Sequence, residues 1–170
     1  NAQARQLGNS VAGFMVQPGG PQLVAVSIDG WDTHANQGGV DGTLAQRLAY
    51  LDAVVDGLHT GLGAEWKNTI CLVVTEFGRT SRINGTRGTD HGNGSTAIVM
   101  GGALKPGGII GDWPTLADNK LNQGRDLAST LDIRGLFKGA LSQHLGLDKR
   151  QLDTVVFPDS AAIAPATGIA

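Results

Sequence analysis

Cysteine is almost missing from this sequence, since Cys71 is the only one among its 170 residues. One cysteine excludes a disulfide framework and any metal site built from several thiolates. Cys71 lies in the apolar run TICLVV, a setting typical of a small buried hydrophobic residue. The hydrophobic core must therefore hold the chain together, and a chain of this length can bury one.

A strong charge of one sign is also missing. The 13 basic and 15 acidic residues give a net charge of −2 and a pI near 6.0. Because no block of the sequence is basic, we expect neither nucleic acid nor a membrane surface as a partner. No apolar stretch approaches ~18 residues, so we expect no membrane span. The first ten residues also lack the basic-then-apolar order of a signal peptide.

Aromatic residues are scarce, at 5% of the chain, whereas glycine is abundant, with 26 residues. An average protein has only ~7% glycine, so many tight turns and close approaches between backbones are expected. No internal repeat or low-complexity linker divides the sequence. We therefore expect a single domain over residues 1–170.

Apolar periodicity predicts helices at 2–16, at 43–62 and near 130–145. Three apolar, β-branched runs, at 22–28, 69–77 and 95–102, predict strands. The first strand, the second helix and the second strand form a βαβ unit, in which the two strands are parallel. The expected fold class is therefore α/β, with a mainly parallel sheet and flanking helices.

Polar residues follow two of these strands at the point where each strand ends. The first loop begins after Ile28 with DGWDTH, and the second begins after Thr75 and contains TDHGNG. Because ligands of open α/β sheets bind beyond the carboxyl ends of the strands, the two loops should meet there. The candidate metal ligands at this edge are Asp29, Asp32, His34, Glu76, Asp90 and His91.

Carboxylate oxygens together with neutral imidazoles suit Zn²⁺, Mn²⁺ or a related divalent ion. The adjacent Asp90 and His91 point in different directions and could serve two ions a few ångströms apart. We therefore expect one or two divalent ions, with Zn²⁺, Mn²⁺, Mg²⁺ and Ca²⁺ all open. In the alternative interpretation, Asp29 and Asp32 only stabilise an Asx-turn, and Trp31 packs against the end of the sheet.

A family resemblance is carried by GWDTH, EFGRT, TDHG and the later segment GGIIGDWPTL. In this order, and over nearly the whole chain, they resemble the bacterial family catalogued as domain of unknown function 1501. The chain resembles the carboxyl-terminal half of such a protein, so an amino-terminal half is implied as its partner. That family is similar to the alkaline phosphatase and sulfatase superfamily, in which an α/β core holds one or two divalent metals.

The resemblance implies that this chain holds part of an alkaline-phosphatase-like core and the metal ligands of that core. One of the two aspartates, Asp29 or Asp32, would bind one ion together with His34. The resemblance does not decide which of them is the ligand. Asp90 and His91 would bind one or both ions. Glu76 would take either a ligand role or a structural one.

The function implied is hydrolysis of a small anionic phosphate or sulfate ester, with a nucleophile outside this chain. Arg79, or else Arg82 or Arg87, would neutralise charge on the transferring oxygens. The alternative is an exported module that binds a metal or an anion without catalysis, because fold does not imply function. A third interpretation is a plain α/β interaction domain. The resemblance also implies a periplasmic or secreted protein.

Overall fold

The computed structural model describes residues 1–105 and 107–170. The chain forms two compact units, Asn1–Trp66 with Thr80–His91 and Lys67–Arg79 with Gly92–Ala170. The single domain expected over the whole chain therefore stays a prediction. Within the described ranges, no helix is both long enough and apolar enough to cross a membrane.

Two helices, α1 (Ala2–Met15) and α2 (Thr43–Leu62), dominate the first unit. Both helices confirm the sequence prediction, because the spacing of apolar residues along a helix is a local property. A 3₁₀-helical turn, Gly63–Asn68, follows α2.

Small residues bring α1 and α2 into close contact. A Cβ atom at Gly8 would lie 2.0 Å from the carbonyl oxygen of Val54, and one at Gly57 would lie 2.1 Å from that of Arg5. Only glycine permits such an approach between two helix backbones. The buried cluster of this unit is correspondingly small, with Ala4, Ala53 and Val54 at its centre.

The strand predicted at 22–28 is wrong, since these residues contain no strand. Leu23 is 69% exposed and Val26 is 45% exposed. An apolar, β-branched composition favours extended backbone, but a strand also needs a neighbouring strand and a packed face. The sequence of this run does not supply either of them.

The second unit contains β1 (Cys71–Val73) and β4 (Ile98–Met100), which lie within two of the predicted strand segments. They pair in antiparallel register, Cys71 with Met100 and Val73 with Ile98. The short strands β2 (Gly78–Arg79) and β3 (His91–Gly92) make the other two-stranded sheet.

The expected mainly parallel sheet, and with it the alkaline-phosphatase-like core, is therefore wrong. Both sheets in the described part of the chain are short, two-stranded and antiparallel. The prediction depended on a βαβ unit whose first strand was residues 22–28. Because these residues do not pair with a strand, the predicted unit does not form. The second and third predicted strands instead pair directly with each other.

Helix α3 (Ile133–Leu145) confirms the helix predicted near 130–145. Asp132 caps its first turn by accepting a hydrogen bond from the amide of Arg134 at 2.9 Å. The Arg134 side chain also donates to this carboxylate and holds the pKa of Asp132 at about 2. A 3₁₀ turn (Asp118–Lys120) precedes α3, and α4 (Lys149–Gln151) leads into a π-helical turn, Leu152–Val156.

A buried lysine fastens the end of the chain to α3. The ammonium group of Lys138 donates to the Asp153 carboxylate at 2.5 Å and to the Ser160 carbonyl at 2.6 Å. Lys149 contacts the second oxygen of the same carboxylate. Hydrogen bonds from the two lysines lower the pKa of Asp153, and the bond from Lys138 has the larger effect. This cluster is satisfied internally, so its role is structural.

Asp126 holds the backbone that follows His91. Its carboxylate is buried and accepts from the amide of Asn93 at 2.6 Å and from the side chain of Asn122 at 3.3 Å. Burial alone would raise the pKa of Asp126, but these hydrogen bonds, with one from the Gly94 amide, lower it overall.

Candidate metal centre

Two loops of the first unit run side by side, one preceding α2 and the other ending at β3. Ala35 and Arg87 form an antiparallel bridge, and the amide of Gln37 donates to the Arg87 carbonyl at 3.0 Å. The amide of Thr89 donates to the Thr33 carbonyl at 3.2 Å. This pairing brings together two stretches that lie far apart in the sequence.

The side chains of the paired loops alternate between the interior and the solvent. Thr33 and Thr89 are buried, and their hydroxyl groups donate to Oε1 of Gln37 at 2.8 Å and 2.7 Å. Since successive residues of an extended chain face opposite sides, His34 and Asp90 point outward. Gln37 thus fixes the register in which the polar residues of the two loops face each other.

Three side chains of types that can bind a metal converge on this outward side. Nε2 of His34 lies 3.2 Å from Nε2 of His91 and 3.0 Å from Oδ1 of Asp32. The third side of the triangle, from His91 Nε2 to Asp32 Oδ1, measures 2.8 Å. The side chains are 47%, 51% and 52% exposed for His34, His91 and Asp32. One face of the triangle is therefore open to solvent.

The size of this triangle suits a small divalent ion. A tetrahedral Zn²⁺ bound at about 2.0–2.1 Å keeps its ligands roughly 3.3 Å apart. The observed sides of 2.8–3.2 Å are slightly shorter, so a small outward movement of half-exposed side chains would admit the ion. Across residues 1–105 and 107–170, this is the one group of three or more metal-type side chains. This group has the size of a site for one ion, and the number of ions, one or two, stays a prediction.

The structure brings Asp32, His34 and His91 together within the first unit. Asp29 stands outside the group, and its carboxylate accepts a long hydrogen bond of 3.5 Å from the Ser27 hydroxyl. Of the two aspartates left open by the sequence, Asp32 is thus the one in the triangle. Asp90 contacts the group indirectly, with Oδ1 3.3 Å from Nδ1 of His34.

Glu76 and Arg79 belong to the second unit. The guanidinium carbon of Arg79 lies 5.3 Å from the centre of the Phe77 ring, within the range of a cation–π contact. The roles predicted for these two residues stay predictions. Trp31 stabilises the first loop, because its indole N–H donates to the Ile28 carbonyl at 2.7 Å.

Asn84 organises the site and was missed by the sequence analysis. Its amide nitrogen donates to the His34 carbonyl at 2.9 Å and to Oδ1 of Asp90 at 3.0 Å. Its oxygen accepts from the amides of Thr86 and Gly88 at 3.0 Å and 2.9 Å. The Asn-Gly dipeptide that begins at Asn84 is a strong turn signal and could have located this bend.

The family model described as "Protein of unknown function (DUF1501)" matches residues 1–156. The chain belongs to this family. Membership confirms the resemblance to this one family that the GWDTH, EFGRT and TDHG segments predicted, whereas the likeness to the alkaline phosphatase and sulfatase superfamily stays a prediction. No curated protein and no solved structure matches the chain. The family description names no activity.

Proposed function

We propose that this chain binds one divalent transition-metal ion through Asp32, His34 and His91, and that the centre hydrolyses a small anionic phosphate or sulfate ester. The observation that carries the proposal is the triangle of one carboxylate oxygen and two imidazole nitrogens, with no side longer than 3.2 Å. Two nitrogen ligands favour Zn²⁺ or Mn²⁺ over Ca²⁺ and Mg²⁺, which prefer oxygen ligands.

The number and exposure of the ligands support hydrolysis. Catalytic zinc sites use three protein ligands and keep a further position open, whereas structural sites are closed by four. A bound ion in such a site would activate water as the nucleophile, in place of the nucleophile outside this chain that the resemblance implied, and would polarise an ester oxygen. Arg82 and Arg87 belong to the same loop as His91, so cationic groups that suit an anionic ester lie close in sequence.

A second candidate function is metal binding without catalysis, and the shallowness of the site favours it. The three ligands are each about half exposed, as given above, whereas ligand pockets usually enclose most of a bound small molecule. A surface centre of this kind suits a module that captures or carries an ion. Export to the periplasm or the medium belongs to both candidates and is supported by the family resemblance.

Turnover of generic esters by metal-reconstituted protein tests the first candidate against the second. The protein is stripped with a chelator, reloaded separately with Zn²⁺, Mn²⁺ or Mg²⁺, and assayed with p-nitrophenyl phosphate and p-nitrophenyl sulfate. We expect hydrolysis with Zn²⁺ or Mn²⁺, loss of it in His91→Ala, and no loss in the control His144→Ala, which alters α3. Metal binding without turnover supports the second candidate, and absence of metal binding contradicts both.

A further inference from the structure

We propose that Asp90 is a positioning residue that orients the His34 ring towards the triangle, rather than a metal ligand itself. This inference rests on the proposed metal centre and changes the role that the sequence predicted for Asp90. It follows from the different contacts that the two nitrogen atoms of the His34 ring make. Nδ1 of His34 faces Asp90 at 3.3 Å, and Nε2 faces Asp32 at 3.0 Å and His91 at 3.2 Å.

The Asp90 carboxylate holds the edge of the His34 ring that faces away from the triangle. An ion bound at Nε2 would leave Nδ1 as the donor of the ring, and an ionised carboxylate accepts from such a donor. A partner of this kind orients a metal-binding histidine and makes it a stronger ligand.

The chain holds Asp90 in place through its backbone and its side chain. Thr80 pins the backbone, because its amide donates to the Asp90 carbonyl at 2.9 Å and its hydroxyl accepts from the Asp90 amide at 3.1 Å. Asn84 donates to Oδ1 of Asp90 and also to the His34 carbonyl. One amide group thus sets the distance between the carboxylate and the histidine backbone.

This arrangement explains how the adjacent Asp90 and His91 serve a single ion. His91 contributes Nε2 to the triangle, whereas Asp90 lies behind the His34 ring, on the side away from the triangle. The sequence suggested two ions because neighbouring residues point in different directions. In the structure, the two directions lead to the triangle and to the far edge of the His34 ring.

The test compares Asp90→Ala, Asp90→Asn and Asn84→Ala with wild type in two measurements. The first is the Zn²⁺ dissociation constant. We expect a loss of about 10–100-fold in affinity for Asp90→Ala, as for other partners of metal-binding histidines. Asp90→Asn should retain much of the affinity, because its amide oxygen still accepts from Nδ1. All variants should still bind one ion per chain.

The second measurement is the orientation of the His34 ring in metal-free protein, from nuclear Overhauser effects between its ring protons and those of His91. We expect one ring orientation in wild type and an average over several in Asp90→Ala. This readout needs no bound ion, so it separates failure of this inference from failure of the proposed function. The inference is overturned if Asp90→Ala keeps both the affinity and the ring orientation, or if Asp90→Asn loses as much affinity as His34→Ala. Circular dichroism identifies any variant that does not fold, and Asn84→Ala then replaces it.

Discussion

Nε2 of His34 lies 3.2 Å from Nε2 of His91, although 57 residues separate the two histidines in the sequence. Their ring centres are 4.8 Å apart and the ring planes are inclined by 41°. Two imidazoles at this distance, with a carboxylate oxygen of Asp32 at 2.8 Å from one of them, have the ligand types that a divalent cation of the Zn²⁺ kind prefers. The antiparallel pairing of two loops, not a sheet, creates this proximity.

Replacement of Gly88 should disturb the centre without removing a ligand. A Cβ atom at Gly88 would lie 2.2 Å from the carbonyl carbon of His34. Gly88→Ala must therefore push the two loops apart, at a cost of roughly 1–3 kcal/mol in stability, and should weaken Zn²⁺ binding. Gly85→Ala is the matched control, because its Cβ atom would meet nothing within 4 Å. Chemical denaturation and a Zn²⁺ titration measure both effects; equal behaviour of the two variants would show that the loops are not closely apposed.

The contact between α1 and α2 predicts opposite effects for two glycine substitutions in one helix. Gly8→Ala places a methyl group against the α2 backbone and should destabilise the unit by about 1–3 kcal/mol. Gly13→Ala meets nothing within 4 Å and should stabilise the helix by about 0.5–1 kcal/mol, because alanine is the better helix former. Thermal unfolding followed by circular dichroism distinguishes them. A stabilising Gly8→Ala variant would contradict the helix packing described here.

The low pKa of Asp132 predicts that the folded protein becomes less stable at acid pH. Its pKa in the folded protein is about 2, mainly because the Arg134 side chain donates to it, and this lies below the ordinary value of about 3.9. The stabilisation that comes from this shift is present above about pH 4 and is lost as the pH falls towards 2. Asp132→Ala should cost about 1 kcal/mol near neutral pH through loss of the helix cap.

Asp132→Asn separates the cap from the charge. Asparagine caps helices as well as aspartate does, so most of the stability at neutral pH should remain. The part of the acid dependence that comes from Asp132 should disappear, because the amide does not titrate. Unfolding curves between pH 2 and pH 7 test this. An unchanged acid dependence in Asp132→Asn would mean that Arg134 does not hold the carboxylate.

The helices of this fold could be predicted from the sequence, but the pairing of its strands could not. The helices α1, α2 and α3 follow from apolar spacing within each segment. The run at 22–28 has the composition of a buried strand, yet Leu23 and Val26 are largely exposed. The composition of a segment indicates what it can do, but its partners and their direction depend on the rest of the chain.

The structure brings together two histidines that the sequence placed at one candidate site, but for a different geometric reason than the predicted one. His34 and His91 were expected to meet at the edge of a parallel sheet, but Gln37 and Asn84 bring their loops together through side-chain hydrogen bonds. Neither residue belongs to a metal-ligand motif, so a search for ligand types passes over them. The choice between Asp29 and Asp32 needed distances, which sequence spacing alone does not provide.

The most direct test of the central claim is the Zn²⁺ stoichiometry of the purified chain. Calorimetric titration of chelator-treated wild-type protein should give one site per chain. His34→Ala and His91→Ala should each abolish that site, whereas the control variants His59→Ala and His144→Ala, which alter α2 and α3, should keep it. Wild-type protein that binds no Zn²⁺, or His34→Ala and His91→Ala variants that bind it as wild type does, would contradict the assignment of Asp32, His34 and His91 as a metal centre.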